Sequence, residues 1–409
     1  MNYTTNTQVA VYPFTRQSEG EEIVIGRPDT SVFLVLPFDA VELLDHLSNG
    51  KTVGEAKFLY QQKYGKVPAL EELLEVLESK GFVQRLVKNR TNQSYVAINK
   101  NNSSLKFHFA NFPRSLAQKL FSYRVLVSCS VLIGLALIAF AVEPSLIPGW
   151  NAHFFPQNLT LMRLLVLTMG YFTVFLHEMA HLIAARSVGV SSRLGIGHRL
   201  WVLVVETDMT GVWGIPRSQR YLPLLAGSLL DATSASVLIL LLFAESHNWL
   251  VFPAIIVQLS RAMLLTYLLR LLWQCYLFVR TDFYFVVANI FRCKNLIKDT
   301  EVFLHNQVAR ILRSVNHVDQ SHIPPREMRA ITCYAWLWVL GRVAAIAVLI
   351  FISLPLTWHY GLVIFSIFGA GFQAHPYAFI DALLLTWLSL ITQGAGVLLF
   401  VRSLYKSLR

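Results

Sequence analysis

The sequence predicts a mainly α-helical polytopic membrane protein of about six spans, preceded by a small winged-helix-like α+β domain. Three observations carry this. Of 409 residues, 55% are hydrophobic and only 14% charged, and the mean hydropathy is +0.49. Soluble chains of this length rarely combine such apolarity with so little charge. Several apolar runs after Phe121 reach the roughly 20 residues a helix needs to cross a bilayer, whereas none before it does. The main boundary therefore falls near residue 121, giving a soluble domain over 1–88, a linker and membrane-surface segment over 89–120, and a membrane-embedded domain over 121–409.

The N-terminal part reads as short elements. Phe33 to Val35 is a strand. Pro37 to Leu47 has helical spacing of apolar residues, with Asp39 near its start. Thr52 caps a second helix over Val53 to Tyr64. Glu71 to Lys80 is a third, stopped by Gly81, and Phe82-Val-Gln-Arg-Leu is a closing strand. Lys88 to Ser104, rich in Asn, Ser and Lys, has linker composition. Lys106 to Arg124 is a basic, partly amphipathic stretch, expected on the membrane surface before the first span.

Spans are expected at about 121–142, 159–188, 221–243, 249–274, 334–355 and 377–401. Segments 143–158, 244–248 and 356–376 contain no Lys or Arg. The opposite set holds Lys119, Arg124, Arg186, Arg193, Arg217, Arg292, Lys298, Arg326 and Arg402 among others. By the positive-inside rule both termini are cytoplasmic. The net charge of +11 follows from these loops. The basic residues lack interleaved aromatics, so no nucleic acid is expected. Residues 189–217 are too polar to span. Leu200 to Val205, a turn at Glu206 to Gly211 and Val212 to Ile215 read as a short hairpin. Four cysteines without CxxC spacing give neither a disulfide framework nor a cysteine metal site.

Chemistry enters at Phe175-Leu-His177-Glu178-Met-Ala-His181, an HExxH motif inside the second span. Residues four apart share a helix face, so His177 and His181 can bind one Zn²⁺, and Glu178 can act as general base toward a water there. Ionisable residues within a span are costly and as a rule functional. A catalytic zinc site takes a third protein ligand. The acidic candidates are Asp231, at suitable depth in the third span, and Asp282, where the chain returns toward the basic side. Asp381 begins the last span at the wrong end. Arg261, also mid-span, needs a carboxylate partner, with Asp231 the first candidate.

With these residues in place the chain resembles the site-2-protease class of membrane metalloproteases, particularly its peptide zinc metalloprotease branch, over most of residues 121–300. Glu206-Thr-Asp208 through Pro216-Arg217 is similar to the hairpin of that class. Ala226-Gly227-Ser228-Leu-Leu-Asp231 stands where an AGPxxN motif would be, and Arg280-Thr-Asp282-Phe283-Tyr284 where LDGYY would be. The resemblance implies His177, His181 and Asp282 as zinc ligands, Glu178 as base, and Ser228 and Asp231 as substrate-binding residues; Arg261, from its mid-span position alone, is a structural pair or a further substrate-binding residue. It also implies a bacterial cytoplasmic membrane. Ser228, Asp231 and Phe283 replace the class's Pro, Asn and Gly. They motivate the alternative of a membrane peptide-binding or export-accessory protein that keeps a metal site with little turnover. The pattern over residues 31–85 resembles PqqD-like peptide-recognition domains. That resemblance implies a leader peptide bound by strand addition and a peptide or small-protein substrate matured near the cytoplasmic face.

Overall fold

The computed structural model describes residues 3–20, 22–27, 30, 32–86, 106–109, 111–155, 159–199, 202–293, 296–311, 318–321 and 323–390. The chain is mostly helical, with small sheets confined to its first half. Strands β1 (Val9–Val11), β2 (Thr15–Glu19), β3 (Glu22–Arg27) and β4 (Val32–Pro37) precede helices α1 (Phe38–Ser48), α2 (Val53–Tyr64) and α3 (Leu70–Ser79), then β5 (Val83–Arg85). Strands β2, β3 and β4 form an antiparallel meander, and β1 pairs with β5. α2 starts where Thr52 and Glu55 complete a reciprocal capping box, and ends at Gly65 in the left-handed region, as its sequence dictates. Ile25, Leu44, Leu47, Leu70, Leu74, Leu77 and Phe82 close the core of this part. Strands β1 to β3 had no counterpart in the sequence reading, because Thr15-Arg-Gln-Ser-Glu19 is polar and the apolar run behind it is short.

The chain continues through β6 (Lys106–His108), α4 (Arg114–Leu120), α5 (Tyr123–Val142) and α6 (Leu159–Ser187) to strands β7 (Arg193–Arg199) and β8 (Val202–Asp208). Glu206 to Asp208 thus belong to the second strand of the hairpin, paired with Arg193 to Gly195, and not to its turn. Its register pairs Arg193 with Asp208, whose side chains meet at 2.9 Å, so a cross-strand charge pair fixes the alignment. Thr210–Gly214 is a 3₁₀ turn, not a strand. β6 adds to β7 as a third strand, over Lys106 to His108. The expected linker over 88–104 lies outside the described residues.

Helices α7 (Arg217–Ser246), α8 (Ala254–Gln274), α9 (Asp282–Phe291), α10 (Leu296–Ile311), α11 (Pro325–Val348) and α12 (Leu354–Ala370) follow. Five described helices are long and apolar enough to cross a membrane: Arg114–Val142, Leu159–Ser187, Arg217–Ser246, Ala254–Gln274 and Pro325–Ala370. Large apolar residues stay exposed along them, such as Trp336, Phe351 and Phe365, which suits helices solvated by lipid.

The last of these corrects an expectation. Residues 356–376 read as a loop, yet the helix runs on to Ala370 through a π-helical turn at Leu349–Ser353. Pro355 cannot donate to the carbonyl of Phe351 and its ring crowds it, so the preceding turn widens. The sixth expected span, 377–401, is described only as the apolar helix Pro376–Leu390; the remainder lies outside the described residues. Asp381 in that helix accepts from the amides of Leu159 (2.7 Å) and Thr160 (3.0 Å). It therefore caps the start of α6 from a distance, which accounts for a carboxylate at that end.

Contacts divide the chain into two compact units, Met1–Phe121 with Glu178–Pro223, and Ser122–His177 with Leu224–Arg409. In the first, the buried Arg220 and its neighbour Arg217 both pair with Glu19 at the end of β2. Arg220 also donates to the carbonyls of Trp213 (2.8 Å) and Ile215 (2.9 Å). The second has its core where Ala139, Ile239, Leu242, Met263 and Leu264 meet, and another where Tyr284, Leu296, Ile331 and Tyr334 pack under α9.

Candidate metal centre

His177 and His181 lie one turn apart on α6, both buried. Each ring is oriented through Nδ1. His177 Nδ1 is 2.8 Å from Asp231 Oδ2, and His181 Nδ1 is 2.7 Å from the carbonyl of Pro223. Carboxylates and carbonyls only accept, so in both rings Nδ1 carries a proton, and Nε2 is the nitrogen left to bind a metal. This is the arrangement by which outer groups fix metal-binding histidines.

Asp282 completes the set. It is the first residue of α9, where Thr281 caps the helix by accepting from the amide of Tyr284 (3.3 Å) and donating to the carbonyl of Gln274 (2.9 Å). The side chain of Gln274 takes the Asp282 amide at 3.0 Å. Phe283, in place of the glycine of the related motif, lies inside α9 and packs against its core, so the helix tolerates it. Asp282 Oδ2 comes within 3.2 Å of His177 Nε2. One ligand atom each from His177, His181 and Asp282 lies within 4.8 Å of the others.

These residues fit a divalent metal. His177 Nε2 and Asp282 Oδ2 face each other across 3.2 Å, a gap that a proton or a metal ion between them satisfies. Metal–ligand bonds near 2.0–2.1 Å at a tetrahedral angle separate two ligand atoms by about 3.3 Å; the His177–Asp282 pair is at 3.2 Å, and the three ligand atoms lie within 4.8 Å of one another. The donor set of two imidazoles and one carboxylate suits Zn²⁺ with one position left open.

Asp231 occupies the second sphere in this geometry. It is 1% exposed and engages His177 and Arg270, whose Nε lies 2.9 Å from the same Oδ2. That contact is not aligned as a hydrogen bond, since Arg270 Nε, Nη1 and Nη2 and Asp231 Oδ1 all lack hydrogen-bond partners among the described residues; it is an ion pair. The expected partner of Asp231, Arg261, is not there. Nine residues separate the two arginines on α8, two and a half turns, so they sit on opposite faces. Arg270 could have been found from its helix face: it lies three and seven positions after Tyr267 and Met263, both buried. Ser228, three residues before Asp231 on α7, is buried with its hydroxyl unpartnered among the described residues.

Glu178 follows His177 on α6. Its Oε2 accepts the amide of Thr207 (3.0 Å), and the Thr207 hydroxyl donates to the Glu178 carbonyl (2.8 Å). Strand β8 therefore fixes the carboxylate, a contact that HExxH spacing does not reveal.

Comparison with protein-family models, with curated proteins and with solved structures returned no match, and the reading of the centre rests on its own geometry.

Proposed function

We propose that the protein is an intramembrane zinc peptidase. The observation that carries the reading is the paired orientation of His177 and His181, each held at Nδ1 so that Nε2 joins Asp282 in one donor set. Bound by these three residues, Zn²⁺ would supply Lewis acidity toward a scissile carbonyl and lower the pKa of a water. Glu178, one residue from a ligand, is suited to accept that water's proton at its carboxylate and return it to the leaving amine. Thr207 keeps one carboxylate oxygen pointed and leaves Oε1 for the proton. Ser228, Asp231 and Arg270 offer buried polar atoms with unmet hydrogen-bonding capacity, which a peptide backbone could satisfy.

The substrate class is a peptide or small protein presented at the bilayer. Residues 31–85 are proposed to recognise its leader, and the five apolar helices support membrane embedding. The rival reading, a metal-keeping peptide-binding protein, is favoured by the engagement of Asp231 with His177 and Arg270. Reconstituted protein incubated with leader-bearing precursor peptides, wild type beside Glu178→Gln, separates the two. Cleavage by the wild type that the variant lacks supports the peptidase. Equal binding without cleavage by either supports the rival.

A further inference from the structure

A second site lies at the other end of α8, within the Ser122–His177 and Leu224–Arg409 unit. A cavity of about 540 Å³ is lined by Asn151, Glu245, Gln258 and Arg261, with Ile147 and Phe252 among its apolar walls. That volume is in the range of small-molecule sites. Glu245 stands in the last turn of α7 and Arg261 seven residues into α8. The carboxylate and the guanidinium thus face one space, yet neither has a hydrogen-bond or ion-pair partner among the described residues.

Arg261 lies about 10 Å along an apolar helix at 1.5 Å per residue, a depth at which an arginine is retained only with a compensating partner. No protein carboxylate supplies it, and the cavity does hold one, set apart. The compensating group must therefore carry a negative charge for Arg261 and a positive one for Glu245. The surroundings fix its class. The flanking segments 143–158 and 244–253 contain no Lys or Arg, and among the residues lining the cavity Arg261 alone is cationic. Ile147 in its wall is 56% exposed, and Trp249 and Val251 in the segment between α7 and α8 are 70% and 88% exposed, apolar groups of the kind found at the headgroup level of a bilayer.

We propose that this cavity binds the headgroup of a phosphatidylethanolamine-type lipid. The phosphodiester is held by the Arg261 guanidinium, a pairing that is charge-assisted and geometrically matched. The primary ammonium donates to the Glu245 carboxylate, and Gln258 and Asn151 serve the remaining polar atoms. The acyl chains leave past the apolar wall at Ile147 and Phe252. A choline headgroup, whose nitrogen has no hydrogen to donate, loses the Glu245 contact. The proposal rests on the membrane embedding of the helices and not on the peptidase reading, and its readout involves neither metal nor cleavage.

The test is native mass spectrometry of the full chain released from mixed micelles holding equal amounts of phosphatidylethanolamine, phosphatidylcholine and phosphatidylglycerol. One ethanolamine lipid per chain is expected, retained about tenfold over the choline lipid. Glu245→Gln removes the preference, and Arg261→Gln lowers retention of both by a similar factor while Arg261→Lys restores part of it. His177→Ala leaves retention unchanged. Equal retention of all three lipids by the wild type, or a glycerol-lipid preference indifferent to Glu245→Gln, overturns the assignment. Displacement by soluble glycerophosphoethanolamine at the lipid's own concentration would overturn the lipid source in favour of a water-soluble ligand.

Discussion

His177 Nδ1 lies 2.8 Å from Asp231 Oδ2 while Nε2 of the same ring lies 3.2 Å from Asp282 Oδ2. One imidazole thus separates two carboxylates, and in the proposed centre Asp282 would bind the metal and Asp231 would orient the ring. Outer carboxylates of this kind are worth about 10–100-fold in metal affinity. Asp231→Ala is expected to weaken zinc binding by that factor in a chelator competition while keeping the stoichiometry at saturating zinc. Asp231→Asn, whose amide oxygen still accepts from Nδ1, should lose less. An affinity unchanged by Asp231→Ala would remove Asp231 from the centre.

Glu178 contacts Thr207 rather than a metal ligand among its described hydrogen bonds. Glu178→Gln is therefore expected to bind zinc like the wild type and to lose precursor cleavage by about 10²–10⁴-fold, the usual worth of a positioned base. Loss of zinc in this variant would make Glu178 a structural residue.

Glu19 and the arginines at the start of α7 give a prediction for the soluble elements. Burial alone would push the Glu19 carboxyl up, but its bonds to Arg217 and Arg220 outweigh burial and hold it below the ordinary value. A carboxyl depressed in the folded state contributes stability above its unfolded pKa, about 4.3, and loses that contribution as pH falls through the folded value. Hydrogen exchange in β2 and the 3₁₀ turn at Thr210–Gly214 is expected to stay constant from pH 7 to 5 after correction for intrinsic rates, and to accelerate below about 4. Glu19→Ala should produce that acceleration at neutral pH, because it strands the buried Arg220, at a cost of about 3–5 kcal/mol. Protection identical in variant and wild type would show that the pair is not holding these elements.

The reach from α11 to the centre is also testable. Gly341 is buried, and a Cβ there would come within 2.8 Å of the Cys275 carbonyl and 3.1 Å of the Leu277 amide. Close approach of this kind is what small residues provide between helices in a membrane. Tyr334, two turns earlier on α11, donates to the Leu277 carbonyl. The turn from Cys275 to Thr281 that delivers Asp282 is thus clamped from one helix. Gly341→Leu is expected to lower zinc affinity, read by chelator competition, although the residue lies far from the ligands in sequence. Gly341→Ala should have a smaller effect of the same sign.

Much of this was legible in the sequence, for identifiable reasons. The HExxH spacing places His177 and His181 on one helix face whatever surrounds it, and capping residues such as Thr52 act locally. The spans up to Gln274 followed from apolar run length. What was missed depends on partners distant in the chain. Arg261 and Arg270 carry equal charge on one helix, and the sequence does not show which of them packs beside Asp231. The hairpin turn was misplaced because Glu206-Thr-Asp208 has turn composition, whereas its pairing is set by Arg193 across the strand. The run beyond Pro355 carries no charge, which fits a loop between spans as well as a helix continued through a π turn.

The most direct test of the account is the zinc content of purified protein, wild type beside His177→Ala and Asp282→Ala. About one zinc per chain, lost in both variants with the helical signal intact, is the predicted result. Zinc retained in Asp282→Ala and lost in Asp231→Ala would reverse the two carboxylates. A wild type that takes up no zinc when supplied with it would contradict the metal centre and the function built on it.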